Sequence, residues 1–162
     1  MLSTARRNLA LFTLALGGFG IGTTEFATMG LLPQIADELV PRFATDPTAG
    51  IADAGWLITA YALGVVVGAP TTAVATARMS QRTLVLVLAA ALVLANLASA
   101  LMPTFELTMA ARFLAGLPHG AYFGVASLLA ARLMGPGRQG AGFLAFHQAL
   151  DVIEQTALEA AQ

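Results

Sequence analysis

The chain has 162 residues, of which 57% are hydrophobic and only 10% charged, with a formal net charge of −1 and no cysteine. Soluble domains carry about 25% charged residues, so there are too few charges here to coat a water-facing surface. This balance leaves no electrostatic footprint for nucleic acid. The lack of cysteine excludes disulfides, thiolate metal centres and cysteine nucleophiles.

Met1 to Asn8 is short and polar, with Arg6 and Arg7 as its charges. A secretory signal peptide starts this way. The apolar run that begins at Leu9, however, shows no small-x-small cleavage site, holds Glu25 and is followed by further long apolar segments. The pattern predicts a retained transmembrane helix from Leu9 to Leu32. Ala36 to Asp53 is polar, with Asp37, Glu38, Arg42 and Asp46 among Pro41, Pro47 and Gly50. It reads as a loop, with Asp53 as the N-cap of the next helix. Ala54 to Thr76 carries no charge, and at about 1.5 Å per residue it crosses a hydrocarbon core of about 30 Å. Trp56 and Tyr61 sit near its start, where amphipathic rings favour the membrane interface. Arg78 to Arg82 forms a short basic turn. Thr83 to Met102 is a third uncharged span, broken by Pro103. Thr104 can cap a fourth helix, Phe105 to Leu133, which Gly135-Pro136-Gly137 ends.

The remainder, Gln139 to Gln162, differs. Phe143, Phe146, Leu150, Ile153 and Leu158 recur near helical spacing, with Asp151, Glu154 and Glu159 interspersed. This predicts an amphipathic helix lying on a surface and not a fifth span, and its acidity disfavours an anionic leaflet. The expected architecture is therefore an all-α integral membrane protein. Four transmembrane helices lie within residues 1–138, and a divergent amphipathic tail covers 139–162.

Orientation follows from arginine, because the chain has no lysine. Arg6, Arg7, Arg78, Arg82, Arg132 and Arg138 fall on one side of a four-span protein, and Arg42 alone falls on the other, near Asp37, Glu38, Asp46 and Glu106. That asymmetry places the N-terminus of a multi-pass plasma (inner) membrane protein in the cytoplasm.

Two charges lie within the spans, Glu25 and Arg112. An ionisable residue at bilayer depth costs about 2.5–3.5 kcal/mol on insertion scales and faces a bundle interior or a watery cavity. Counting from the outer helix ends puts Glu25 about 10 Å deep and Arg112 about 12 Å deep. At similar depth they can pair directly, as a purely structural link between two helices, or face a shared cavity on a transport path. His119 lies on nearly the same helix face as Arg112, as a second titrating group or as a hydrogen-bonded core residue. Gly18, Gly22 and Gly30, Gly64 and Gly68, and Gly116, Gly120 and Gly124 follow small-xxx-small spacing, which permits close helix packing. Such glycines also suit deformable helices around a binding site. Pro70 and Pro118 should bend their spans. No polar loop is present to hold a nucleophile and base, so an enzyme is not expected, and nothing calls for a cofactor or metal.

The run Gly22-Thr23-Thr24-Glu25-Phe26, then Met29-Gly30-Leu31-Leu32-Pro33, then Gly55-Trp56-Leu57-Ile58-Thr59-Ala60-Tyr61-Ala62-Leu63-Gly64 resembles the start of major facilitator superfamily transporters. The similarity is to their drug:proton antiporter branch, which includes sugar and arabinose efflux permeases. Ala111-Arg112-Phe113-Leu114-Ala115-Gly116-Leu117-Pro118-His119-Gly120-Ala121 resembles that superfamily's helix-four motif. The resemblance covers Leu9 to about Arg138. It implies proton-coupled efflux of a small organic molecule, with proton coupling on Arg112 and coupling or cation recognition on Glu25. Two departures matter. Ala77-Arg78-Met79-Ser80-Gln81-Arg82 has alanine where the family's inter-helix loop holds aspartate. The acidic tail also stands where the family enters an apolar fifth helix. A truncated or frameshifted copy with impaired transport is the expectation, with a non-transporting membrane assembly or interaction protein as the alternative.

Overall fold

The computed structural model describes residues 3–76, 78–135, 137 and 139–160. Ala77, Pro136 and Arg138 lie outside the described residues, as do the side chains of Glu154, Leu158 and Glu159. The first helix, α1, spans Thr4–Gly30 and is capped by Ser3, whose side chain accepts from the Arg6 amide. It stops two residues earlier than the apolar run suggests. Pro33 sits in the first turn of a separate helix, α2, Leu32–Leu39, and a proline is accommodated at a helix start and not in its interior.

The segment expected to be a loop is largely helical. A 3₁₀ turn, Pro41–Ala44, follows α2, and α3 spans Pro47–Ala54. Its two prolines each begin an element, so residues read as breakers act as starters. Asp46, not Asp53, supplies the carboxylate cap, accepting from the Ala49 amide at 3.0 Å. Asp53 instead meets Arg42 at 3.6 Å on the exposed surface. The next helix, α4, covers Trp56–Ala75 with Gly55 before it.

Two further spans follow. The helix α5 covers Gln81–Leu101, capped by Ser80, and α6 covers Phe105–Leu133, capped by Thr104 as the sequence suggests. Arg82 is exposed on the first turn of α5, and Arg78 is exposed in the turn before it. Both α4 and α6 run on through their internal prolines, Pro70 and Pro118. Gly135 ends α6 at φ +85°, a left-handed backbone that glycine adopts without steric cost. The last helix, α7, is Gln139–Ala160.

Among the described residues, four helical stretches are long and apolar enough to cross a membrane: Thr4–Gly30, Pro47–Thr72, Gln81–Leu101 and Phe105–Leu133. Large apolar side chains such as Leu63, Val74, Leu86, Leu94 and Leu101 stand exposed along them, as lipid-facing positions do. The architecture is that of an all-α integral membrane protein. The centre is α6, which packs against α4, α5 and α7, while α1 packs mainly against α7. The main core joins Leu11, Leu14 and Ile21 of α1, Leu84, Leu88 and Leu92 of α5, Tyr122 of α6 and Phe146 of α7.

The tail is thus less peripheral than its acidity suggests. It is helical and is not among the four spanning stretches, but Phe146 is fully buried. Its ring meets Phe123 edge-on at 6.5 Å. One apolar face finds protein and not only a membrane surface.

Candidate functional site

Close contact between α4 and α6 sets the geometry of the site. A Cβ on Gly64 would fall on the Phe113 carbonyl oxygen, and one on Gly68 on that of Leu117. From the other helix, a Cβ on Gly116 would meet the Tyr61 carbonyl oxygen, and one on Gly120 that of Val65. These four glycines let the backbones touch, which in lipid substitutes dispersion for the missing hydrophobic drive. Gly18 lies against Phe123 of α6 and Leu150 of α7. Gly22 is half-buried within α1. Gly30 and Gly124 have nothing within 4 Å of a would-be Cβ, so their spacing in the sequence does not correspond to a helix contact.

This packing brings Tyr61 of α4 under the α6 side chains. Tyr61 is only 3% exposed, which corrects its reading as an interfacial ring. Trp56 is 60% exposed, as an interfacial position allows. The Arg112 guanidinium stands over the Tyr61 ring with its carbon 4.4 Å from the centroid, where the ring's negative face attracts a cation. The Tyr61 hydroxyl lies 3.0 Å from His119 Nδ1. His119 is also flanked by the Phe123 ring at 5.4 Å.

Glu25 reaches this cluster from α1, with Oε1 3.3 Å from the same His119 Nδ1. The geometry admits two proton arrangements. If Nδ1 carries hydrogen, it donates to both the Tyr61 oxygen and the Glu25 carboxylate. If Nδ1 is bare, it accepts from the Tyr61 hydroxyl, and the carboxyl must carry the proton for the Glu25 contact to be attractive. The character of the contact therefore depends on which of His119 and Glu25 carries the proton. Among the described residues no carboxylate comes within 4.0 Å of Arg112. Of the two sequence alternatives, a direct Glu25–Arg112 pair or a shared cavity, the structure has the cavity.

That cavity, about 400 Å³, is lined by Glu25, Arg112, His119 and Tyr61, with Phe26, Met29, Ile58, Val65 and Val66 forming apolar walls. Arg112 is 5% exposed, while the Glu25 side chain is 37% exposed and faces the space. A few polar groups converging in an apolar-walled hollow form a pattern suited to a small organic molecule. Arg112, Glu25 and His119 stood out in the sequence because each interrupts an apolar run. Tyr61 did not, although it shares a helix face with Gly64 and Gly68, the face that contacts α6.

Comparison with known proteins agrees with this architecture. The family model described as Major Facilitator Superfamily matches residues 14–150, a range that continues into α7. The chain is 42% identical over 135 residues to the inner membrane transport protein YdhP of Escherichia coli, covering 82% of this chain and 32% of that protein. It is 37% identical over 128 residues to the putative transporter AraJ of Escherichia coli, covering 79% and 30%. It is 33% identical over 132 residues to a chloramphenicol resistance protein of Streptomyces lividans, covering 82% and 32%. The chain spans about a third of the length of these curated relatives, and no solved structure gave a significant match. A bundle of apolar spanning helices and a family match over most of its length together establish that this chain belongs to the Major Facilitator Superfamily.

Proposed function

We propose that this chain forms part of a proton-coupled exporter of a small organic molecule, with Glu25 and His119 as the proton-exchanging pair and Arg112 as the fixed charge beside them. The observation that carries this reading is the convergence of Glu25, Tyr61, Arg112 and His119 from three helices on one apolar-walled cavity. Buried ionisable groups are expensive in a bilayer. A merely structural link would spend that cost on a direct Glu25–Arg112 contact, which is missing here among the described residues. A proton shared across 3.3 Å between a carboxylate and an imidazole moves with little rearrangement. Loss of that proton from the pair, and its return, changes the cavity's charge by one unit, from one that favours an organic molecule to one that releases it. The name of one relative, a chloramphenicol resistance protein, points to a small organic molecule of the kind of that drug as candidate cargo. The arginine asymmetry supports a cytoplasmic N-terminus.

The test joins residues 1–150 of this chain to the remaining two thirds of its YdhP relative and measures solute-driven proton movement in everted vesicles. Glu25→Gln keeps the shape of the side chain and removes its titration. Proton movement is expected to fall by about a hundredfold, the scale of losing a positioned proton carrier, with membrane levels unchanged. Full coupling in Glu25→Gln refutes the assignment.

A further inference from the structure

Two buried stripes run towards the end of the bundle at which the chain begins. On α1 the stripe is Leu11, Leu14, Ala15, Gly18 and Ile21, and on α5 it is Leu84, Val85, Leu88 and Leu92. Apart from Gly18, these residues belong to one core, and both helices start at that end. One turn before each stripe a polar residue stands on the same face, Arg7 four residues ahead of Leu11 and Gln81 three ahead of Leu84. Each is half-buried. They do not satisfy one another: the Arg7 Nε and the Gln81 Oε1 are buried, and neither makes a hydrogen bond among the described residues.

An N–H and a carbonyl oxygen shielded from water without partners are costly, and the two ask for opposite partners. The N–H needs an acceptor and the carbonyl needs a donor. Charge narrows the choice further. Arg6, Arg78, Arg82 and Arg132 stand exposed at the same end, and neither they nor Arg7 meet a carboxylate among the described residues. Asp37, Glu38, Asp46, Asp53 and Glu106 lie at the opposite ends of the spans. Water can satisfy either atom but leaves the positive charge unbalanced. The partner that fits is an anion with hydrogen-bond donors of its own.

Position says where such a group comes from. Arg7 opens a helix that crosses the membrane, which puts its guanidinium at the depth of lipid headgroups. Leu9 and Phe12 stand exposed beside it. Further along, α1 and α5 border a cavity of about 280 Å³, walled mainly by Leu16, Gly17, Ile21, Ala89, Leu92 and Val93. Leu16 is about 14 Å of helical rise from Arg7, within the reach of an acyl chain. A soluble anion would use the charge and leave the apolar walls unused.

We propose that the paired starts of α1 and α5 bind one phospholipid whose headgroup joins a phosphate to hydroxyl donors, as phosphatidylglycerol does. Its phosphate oxygens accept from the Arg7 guanidinium, and a headgroup hydroxyl donates to the Gln81 carbonyl. Arg82, on the first turn of α5, adds charge to the rim, and an acyl chain lies in the groove between the two helices. A choline headgroup fits less well, because it brings no net charge and no hydrogen-bond donor. The site is independent of the exporter reading and of the direction in which the chain crosses the membrane.

Native mass spectrometry of the full 162-residue chain in a non-ionic detergent tests this with lipids of matched acyl chains. Phosphatidylglycerol is expected to bind about tenfold more tightly than phosphatidylcholine, the scale of one hydrogen bond to a charged group. Arg7→Gln should remove that preference. Arg132→Gln takes the same charge from the same end and should change it by less than about twofold. Phosphatidylmethanol has the charge of phosphatidylglycerol without its hydroxyls. It should bind about threefold more weakly, and Gln81→Leu should make the two equal. Glycerol phosphate at the same concentration should not displace the lipid. Equal binding of phosphatidylcholine overturns the proposal. So does an equal effect of Arg7→Gln and Arg132→Gln, which would show diffuse attraction to a charged end. Displacement by glycerol phosphate overturns the lipid as the source of the phosphate. If Arg7→Gln does not fold, the lipid series on the unaltered chain and on Gln81→Leu still decides.

Discussion

Tyr61 serves two charged neighbours with two parts of one side chain, its ring face to Arg112 and its hydroxyl to His119. Substitutions separate the two. Tyr61→Phe keeps the ring and removes one interhelical hydrogen bond, worth about 0.6 kcal/mol on average within membranes. Tyr61→Ala also removes the ring beneath the guanidinium and opens a cavity, so about 3–5 kcal/mol is expected. Unfolding in detergent micelles measures both, and equal losses would refute the division of roles. At this scale the charged members of the site were legible, because Glu25, Arg112 and His119 each break an apolar run. Tyr61 was not, because a tyrosine near a helix start fits the interface equally well. Only the rotation of α4 about its axis decides between these readings, and that is set by the glycines it presses against α6.

Those glycines carry the element scale. Gly64→Val would drive a side chain into the Phe113 carbonyl and separate α4 from α6, costing about 1–3 kcal/mol or more. Gly124→Ala fills open space and is expected to stay within about 0.5 kcal/mol of the parent. A thermal unfolding series on the two variants checks this, and similar losses would show that the contact is not what holds the helices. In the sequence, Gly124 and Gly116 follow the same spacing rule. The rule marks where close approach is permitted, not where a neighbour exists. A similar limit applied to residues 36–53. Proline and glycine there signal turns, yet Pro41 and Pro47 occupy helix starts, where a missing amide hydrogen costs nothing.

For the whole molecule, the question is how far α7 belongs to the bundle. Phe146 is fully buried among α1, α5 and α6 residues, whereas Phe143, one turn earlier, is 47% exposed. Phe146→Ala is expected to destabilise by about 3–5 kcal/mol, and Phe143→Ala by no more than about 0.5 kcal/mol. Limited proteolysis beyond Gly137 and unfolding in micelles report both. Equal, small effects would show α7 to be detached. The sequence by itself determined the membrane class, the four apolar spans, the amphipathic last helix and the presence of charge at bilayer depth. Each of these is a local cost or gain, set by the residues of one segment in contact with lipid or water. The tertiary structure alone decided the partners: Glu25 beside His119, Arg112 over Tyr61, α7 against α1, and α4 touching α6 through four glycines. A partner depends on the rotation and depth of two helices far apart in the chain, and that relation is fixed only when all of them pack at once.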